Sequence, residues 1–582
     1  IKLFKHVQGD INEISTRHLD YYFKGILKQS KRKPTPDRAH VYFDLAEHVE
    51  SAQIQTGTLL NSGVDEEGLD CTYATFQPLE LNQAKVDQLR IIHVANNPSI
   101  GIGHSLKDVS NIYSSIVNLR DDGFILNEIG NPSITHPFGR DQSDISINHR
   151  DMQQAEIGFA ISSPVLAMRE GERSINFTLK FSLKSLTSLI SFMEEIALAE
   201  KLSADNAFDK ILNNVFEIRV TTSEGWYEIS TYKIIRHNAW TDGEIQIKMA
   251  LDVSDPAIIN FDSEVHGTGY TANWPLFEFV ISSKYAMFSY SYLKDLNIET
   301  CRIDTEVSQV KDMIIFNDQG QLDIHMPFFP FGGSPQLGSY FLLGYDELFD
   351  RDITDCSIDI QWHNLPRTKG GFEAYYKEYD ERITNDSFKV GLTGLSEFKF
   401  HPSESSSIQQ FSLFRSNEND KSLIPTTKFN QVDLEKLGLT PSYGPIDIDE
   451  YSSKTRTGFL KFELSAPDMG FGFDLFPKLF SDAIVENSTL VTGLIKPKET
   501  PKKDLPNQAL APQIRSISLS YKASSTFTFA ADRVADNEER VKNQFYHIHP
   551  FGKRVIFNDG LPTLSTLLPQ YDHEGYLLIG LT

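Results

Sequence analysis

Apolar residues that alternate one-for-one with other residues recur along this chain, and that period makes a β-rich fold the main expectation. Ile175, Phe177, Leu179 and Phe181 alternate strictly, the spacing that sets every second side chain on one face of a strand. Val41, Phe43 and Leu45 repeat it, as do Ile245, Ile247, Met249 and Leu251. Later strands are marked by Phe459, Leu460, Phe462 and Leu464, and by Ile517, Leu519 and Tyr521. Gly57-Thr58-Leu59-Leu60 enters a further strand, and Gly63 to Asp70 reads as an acidic turn. Helical spacing is confined to a few places. Leu186, Leu189, Ile190, Met193 and Ile196 form one stripe, with Ser182 or Ser185 as its cap, and a second helix is expected over 204–212. Strands and helices do not alternate regularly, which argues against a doubly wound sheet. The expected class is α+β, mainly β, in an elongated multidomain chain.

The first segment is the third helical place. Ile11, Ile14, Leu19, Tyr22, Phe23 and Ile26 lie at near-helical spacing, with Glu13, Arg17, Asp20 and Lys24 between them. Lys28, Lys31, Arg32 and Lys33 follow as a basic run, and Pro34 and Pro36 end the helix. The stripe has two surfaces to choose from, its own domain or another chain. The proline-marked separation from the strands favours another chain. A second interface expectation concerns Met326-Pro327-Phe328-Phe329-Pro330-Phe331-Gly332-Gly333. Phe328, Phe329 and Phe331 either fold back on their own core or dock on a neighbouring subunit, because clustered phenylalanines go where area is buried.

At about 150 residues per domain, 582 residues give a prior of roughly four domains. The expected organisation is a helix over 1–33, a β-rich domain over 34–165, and an α+β domain over 166–320 with its long helix near 185–202. A β-rich domain over 321–480 carries a Ser-, Asn- and Asp-rich irregular insertion near 402–445, and a last β-rich domain covers 481–582. The first residue is Ile1, and Gly575 to Thr582 reads as a strand cut mid-course; both suggest a piece of a longer polypeptide. The net charge of −24 argues against an overall basic nucleic-acid binder. Cys71, Cys301 and Cys356 are too few and too widely spaced for a disulfide framework or a zinc site, which points to synthesis in a reducing cytoplasm. No stretch reaches the ~18 apolar residues of a membrane span.

Motifs for chemistry are not completed. Gly101-Ile102-Gly103-His104 opens like a dinucleotide loop without its third glycine. Ser334 sits between Gly333 and Pro335, which is no nucleophile elbow. His547 and His549 would share one face of a strand, yet two ligands do not make a metal site. His573-Glu574 lacks the second histidine of a zinc-protease helix, and Glu66, Glu67 and Asp70 do not follow the calcium-loop pattern. The expectation is a protein without catalytic residues, cofactor or metal.

A resemblance joins these parts. Ser15-Thr16-Arg17-His18-Leu19-Asp20-Tyr21-Tyr22-Phe23, followed by Pro36-Asp37-Arg38-Ala39-His40-Val41, resembles the N-terminal part of the large baseplate wedge proteins of contractile, phage-tail-like injection systems. So do Gly57-Thr58-Leu59-Leu60 with Gly63 and Tyr73-Ala74-Thr75, and Ile157 to Pro164 with Glu170-Gly171-Glu172-Arg173. Phe329-Pro330-Phe331-Gly332 with Gly338-Ser339-Tyr340-Phe341, Ile360-Gln361-Trp362 with Leu365-Pro366, and Tyr375-Tyr376 with Tyr379 continue it in order. Tyr546 to Gly552 and Glu574 to Leu581 complete it. The wedge subunit is either of the baseplate-J-like type or its sister.

The resemblance implies a structural subunit made in the bacterial cytoplasm and built into the baseplate of a contractile particle, cell-associated or released. Such wedges form a hexagonal ring around a spike and hub and pass the contraction trigger to the sheath. The implied partners are other wedge subunits, neighbouring copies in a six-fold ring, and spike, hub and sheath-proximal proteins, with no nucleic acid. Long helices near the N-terminus bundle with partner subunits in that family, which makes Ile11, Ile14, Leu19, Tyr22, Phe23 and Ile26 the expected contacts. The competing reading is a β-rich carbohydrate-binding or carbohydrate-active protein, suggested by multiple β domains and 22 tyrosines; a secreted adhesin is a third.

Overall fold

The computed structural model describes the chain except residues 31, 85, 97–108, 119–135, 213, 237–242, 285–287, 440, 442–445, 447, 490–501, 530–541, 557–564 and 582. The Gly101–His104 motif lies outside the described residues. The fold is α+β and mainly β. The chain forms two compact units, residues 1–87 with 581–582, and residues 88–580.

The larger unit is built from antiparallel sheets. Strict alternation at Ile175, Phe177, Leu179 and Phe181 produces the strand Glu172–Phe181, whose inward residues are buried on every second position. It lies between Glu244–Leu251 and Asn297–Val310 in an eight-stranded sheet. The long strand Ile514–Thr528 bridges Asn297–Val310 and Ile353–Trp362 in the same sheet, and Thr426–Phe429 closes one edge. A six-stranded sheet runs in the order Gly225–Ile229, Phe216–Thr222, Leu276–Ile281, Gly158–Ser162, Gln544–His549, Gly552–Val555. Phenylalanines join the two. Phe159 stacks on Phe279 at 4.7 Å and on Phe545 at 5.4 Å, all three from the six-stranded sheet. Phe177 of the eight-stranded sheet meets Phe279 edge-on at 5.3 Å, an arrangement that suits the ring quadrupoles. A seven-stranded sheet around Tyr340–Gly344, Phe459–Ala466 and Lys389–Ser396 shares the same core cluster through Phe341 and Phe462, which stack at 4.7 Å.

Both internal helices expected from the apolar spacing form where it placed them. Leu183–Glu200 buries Leu186, Leu189, Met193 and Ile196, and the Ser182 hydroxyl accepts from the Ser185 N–H at 3.4 Å. The helix ends on Lys201 in the left-handed region, and Ala204–Leu212 follows.

The domain boundaries are corrected. Strands drawn from 172 to 528 pair within one sheet, so limits at 320 and 480 cut through it. The limit at 33 falls inside the first unit and that at 165 inside the second. The segment 402–445 is no appended insertion. Gln409–Ser412 pairs with Lys389–Ser396, Thr426–Phe429 pairs with Ile353–Trp362, and Leu413, Phe414 and Phe429 are buried in the core. Serine and asparagine between these short strands lie in turns, which masks the strands in composition. Val41, Phe43 and Leu45 form no strand; Phe43 and Leu45 are half-buried while Tyr42 and Asp44 are exposed, so the alternation appears in burial without a ladder partner.

Candidate assembly interface

The first unit has an unusual property for so apolar a segment. Among its described residues up to Val86, none is buried. Its first element is the α-helix Lys2–Tyr21, continued by a π-helical turn Tyr22–Ile26. The stripe read from the sequence is present and open. Ile11 and Ile14 are each 58% exposed, Ile26 is 60% exposed, and Leu19, Tyr22 and Phe23 are likewise on the surface. Tyr22 and Phe23 meet edge-on at 5.6 Å. Arg17 reaches Glu13 at 2.6 Å and Lys24 reaches Asp20 at 2.7 Å, pairs one turn apart worth only a few tenths of a kcal/mol each. In proteins a helix draws most of its stability from packing its apolar face against a neighbour rather than from such pairs. It therefore needs a surface to bury its stripe, and among the described residues this chain provides none.

The second part of the unit is a two-stranded ribbon over 51–82, of which the sequence had marked only the strand near Leu59 and its acidic turn. Ser51–Ile54 pairs with Leu79–Asn82, and Leu59–Val64 pairs with Asp70–Ala74. Between these ladders Gly57 N–H donates to the Thr75 carbonyl at 2.7 Å, and Thr75 N–H to the Thr58 carbonyl at 3.1 Å. Ala52 faces Leu81 and Ile54 faces Leu79, so one side of the first ladder is apolar; Ser51, Asn82, Gln53 and Glu80 take the other. Leu60 faces Tyr73 in the second ladder. The turn is set by Asp65, whose carboxylate accepts from the Glu67 and Leu69 N–H groups at 2.9 and 2.8 Å, and by Gly68 in the left-handed region at φ 79°. Glu66, Glu67 and Asp70 are exposed. An isolated two-stranded ribbon is also marginal in water.

The phenylalanine loop behaves differently from the helix. Phe328 exchanges backbone hydrogen bonds with Ile514, 3.0 and 2.9 Å, and its side chain is buried. Phe331 packs edge-on against Phe341 at 5.5 Å and is buried too. Phe329 alone remains open, at 38%. The loop folds back because its ladder to Ile514 turns Phe328 and Phe331 into the chain's own core, so the docking expectation narrows to Phe329.

Elsewhere the polar clusters are structural ties. Glu347, 2% exposed, takes the Arg169 N–H at 3.0 Å and lies 3.4 Å from Arg169 Nε and 4.0 Å from the buried Arg351. The Tyr521 hydroxyl donates to it; burial, and then this carboxylate, push that phenol well above its ordinary value. The group ties the 346–348 turn to the segment before strand Glu172–Phe181 and to strand Ile514–Thr528. His547 and His549 share a strand with ring centres 6.1 Å apart. The first donates from Nε2 to the Thr566 carbonyl at 2.7 Å, and Nδ1 of the second lies 2.9 Å from the Tyr571 hydroxyl. Among the described residues no three His, Cys, Asp or Glu gather as a metal site, and no helix is long and apolar enough to cross a membrane. Tyr290, Tyr345, Tyr376, Tyr521 and Tyr546 are buried in the body. Cys301 and Cys356 are buried as free thiols, and burial raises both.

Burial lowers the His547 imidazolium to about 4. Below about 6.5 the unfolded chain takes up a proton that the folded chain refuses, so this residue's contribution is complete above pH 6.5 and is lost as pH falls toward 4. Unfolding free energies from urea titrations across that window should drop by an amount on the order of 3 kcal/mol. The drop should shrink in His547→Asn; an unchanged slope would remove His547 from the account.

Comparison with known proteins completes the picture. No curated protein matches the chain. The model of a family described as "Baseplate protein PVC11-like" matches residues 1–124 and 201–427, a span that takes in the open helix, the ribbon and strands of all the major sheets. With more than half of its length matched, the chain belongs to the PVC11-like family of baseplate proteins, as a structural baseplate component of a contractile injection system.

Proposed function

We propose that this chain is a wedge subunit, repeated in a six-fold ring around the spike and hub, and that it is anchored there through its N-terminal helix. The observation that carries the reading is the unburied stripe Ile11, Ile14, Leu19, Tyr22, Phe23 and Ile26 on a helix that lacks the packing from which helices in proteins draw most of their stability. Its partners are other wedge subunits and neighbouring copies, with spike, hub and sheath-proximal proteins beyond them. Phe329 supplies a second, smaller contact. The role is mechanical: the sheets of residues 88–580 share one continuous core cluster, and closely packed interiors transmit strain rather than absorb it. Such a body suits a part that holds a strained ring and relays a trigger to the sheath.

Purified particles test this reading. Quantitative mass spectrometry should find the chain beside sheath and tube proteins, at a copy number per particle that is a multiple of six. A chain recovered only outside particles, or at a copy number that is no multiple of six, would overturn it.

A further inference from the structure

Charge separates the two parts of the first unit. Residues 1–33 hold eight Lys and Arg against three Asp and Glu, a net of +5. The ribbon over 51–82 holds five Asp and Glu and no Lys or Arg, a net of −5. Within the helical stretch 2–26 the balance is four basic to three acidic residues, and the excess lies just beyond it, in Lys28, Lys31, Arg32 and Lys33, which no acid interrupts. Four of the five ribbon carboxylates, Asp65, Glu66, Glu67 and Asp70, gather at the ribbon's turn.

Length and apolar surface match as well. The helical stretch 2–26 is roughly 37 Å long at about 1.5 Å per residue. The strand side 51–64 of the ribbon is roughly 45 Å long at about 3.3 Å per residue. The helix offers an open stripe, and the ribbon offers Ala52, Ile54, Leu79 and Leu81 on one side. Each lacks the packing that stabilises such an element, and neither is buried by the other within this chain.

We infer that the helix of one copy docks along the ribbon of a second copy of this chain, and that the second copy returns the contact. Charge selects this pairing over the others available between copies. Pairing the segment 1–33 with itself would bring +5 against +5, and ribbon on ribbon −5 against −5, whereas the helix with its basic tail on the ribbon neutralises both and brings two apolar faces together. Two copies related by a two-fold axis make the contact twice, which closes the pair. The inference rests on the reading of the helix as an intermolecular element, and it names the partner.

Two charge-reversed full-length chains test it. One carries Glu66→Lys, Glu67→Lys and Asp70→Lys; the other carries Lys24→Glu, Lys28→Glu and Lys33→Glu. All six side chains are on the surface, and the thermal melt of the body reports that each chain folds. The parent should self-associate in sedimentation, less so at high salt, and each variant alone should associate more weakly by roughly tenfold or more. Mixing the two variants should restore the pair, because each helix then meets a ribbon of opposite sign. With one population isotope-labelled, zero-length carbodiimide cross-links should join Lys28 or Lys33 of one copy to Glu66, Glu67 or Asp70 of the other. Cross-links confined to single copies, or a mixture that stays monomeric, would overturn the inference. A parent that is monomeric yet enters baseplates through its helix defeats this inference and leaves the wedge reading standing. A parent that pairs as described yet is absent from particles does the reverse.

Discussion

The double variant Ile14→Asp/Ile26→Asp is expected to fold like the parent and to be missing from baseplates. Both side chains are already largely in water, so the thermal melt of the β body should move by less than the equivalent of ~0.5 kcal/mol. On the proposed reading they leave water when the baseplate assembles, and each fully buried apolar side chain contributes about 1.5–3 kcal/mol. Replacing two of them with carboxylates forfeits that gain and adds the cost of desolvating charge. The affinity of the helix for its partner should fall by roughly 10²- to 10⁴-fold. Copurification with the other baseplate proteins, alongside the melt, reads both effects. Incorporation at the parent level would mean that the stripe makes no contact in the particle.

Glu347→Ala should have the largest effect on the body itself. The carboxylate is the common acceptor for the Arg169 backbone N–H and the Tyr521 hydroxyl, with the Arg169 and Arg351 guanidinium groups 3.4 and 4.0 Å away. Its removal leaves Arg351 buried against Asp350 alone among these carboxylates and leaves the Tyr521 hydroxyl without its acceptor. Breaking one side of a buried charged group costs about 3–5 kcal/mol. Denaturant unfolding of residues 88–580 in the full chain should show a loss of that size. Glu347→Gln, which keeps an acceptor and the side chain's shape, should lose less. Equal losses in both variants would mean that packing, rather than charge and hydrogen bonding, sets the contribution of this position.

The sequence was most readable where one physical rule acted locally. Ile175 to Phe181 became the alternating strand it announced, Leu186 to Ile196 became the buried stripe of a helix, and Ile11 to Ile26 became an open one. Pairing over long distances was not readable. Glu347 lies 178 residues from Arg169 and 174 from Tyr521, and nothing in either neighbourhood marks the other. The same limit produced the wrong domain boundaries, since turn composition near 320 and 480 carries no information about which strands share a sheet. At Phe328 and Phe331, composition showed that area would be buried, while the ladder to Ile514 decided against what. The ribbon was half visible: Leu59 and the acidic turn stood out, but Ser51–Ile54 and Leu79–Asn82 are too short for a period to register. Its significance emerges from charge, through the contrast between residues 1–33 and 51–82.

On the proposed reading another chain completes the N-terminal helix. Backbone hydrogen exchange over residues 2–26, compared between the isolated protein and the purified particle, tests it most directly. In the isolated chain these amides should exchange quickly, because a helix without tertiary packing opens readily. In the particle they should be slowed by roughly 10²-fold or more, while the amides of strands Glu172–Phe181 and Ile514–Thr528 are slow in both. Equal exchange over 2–26 in the two states would mean that no partner covers the helix in the particle.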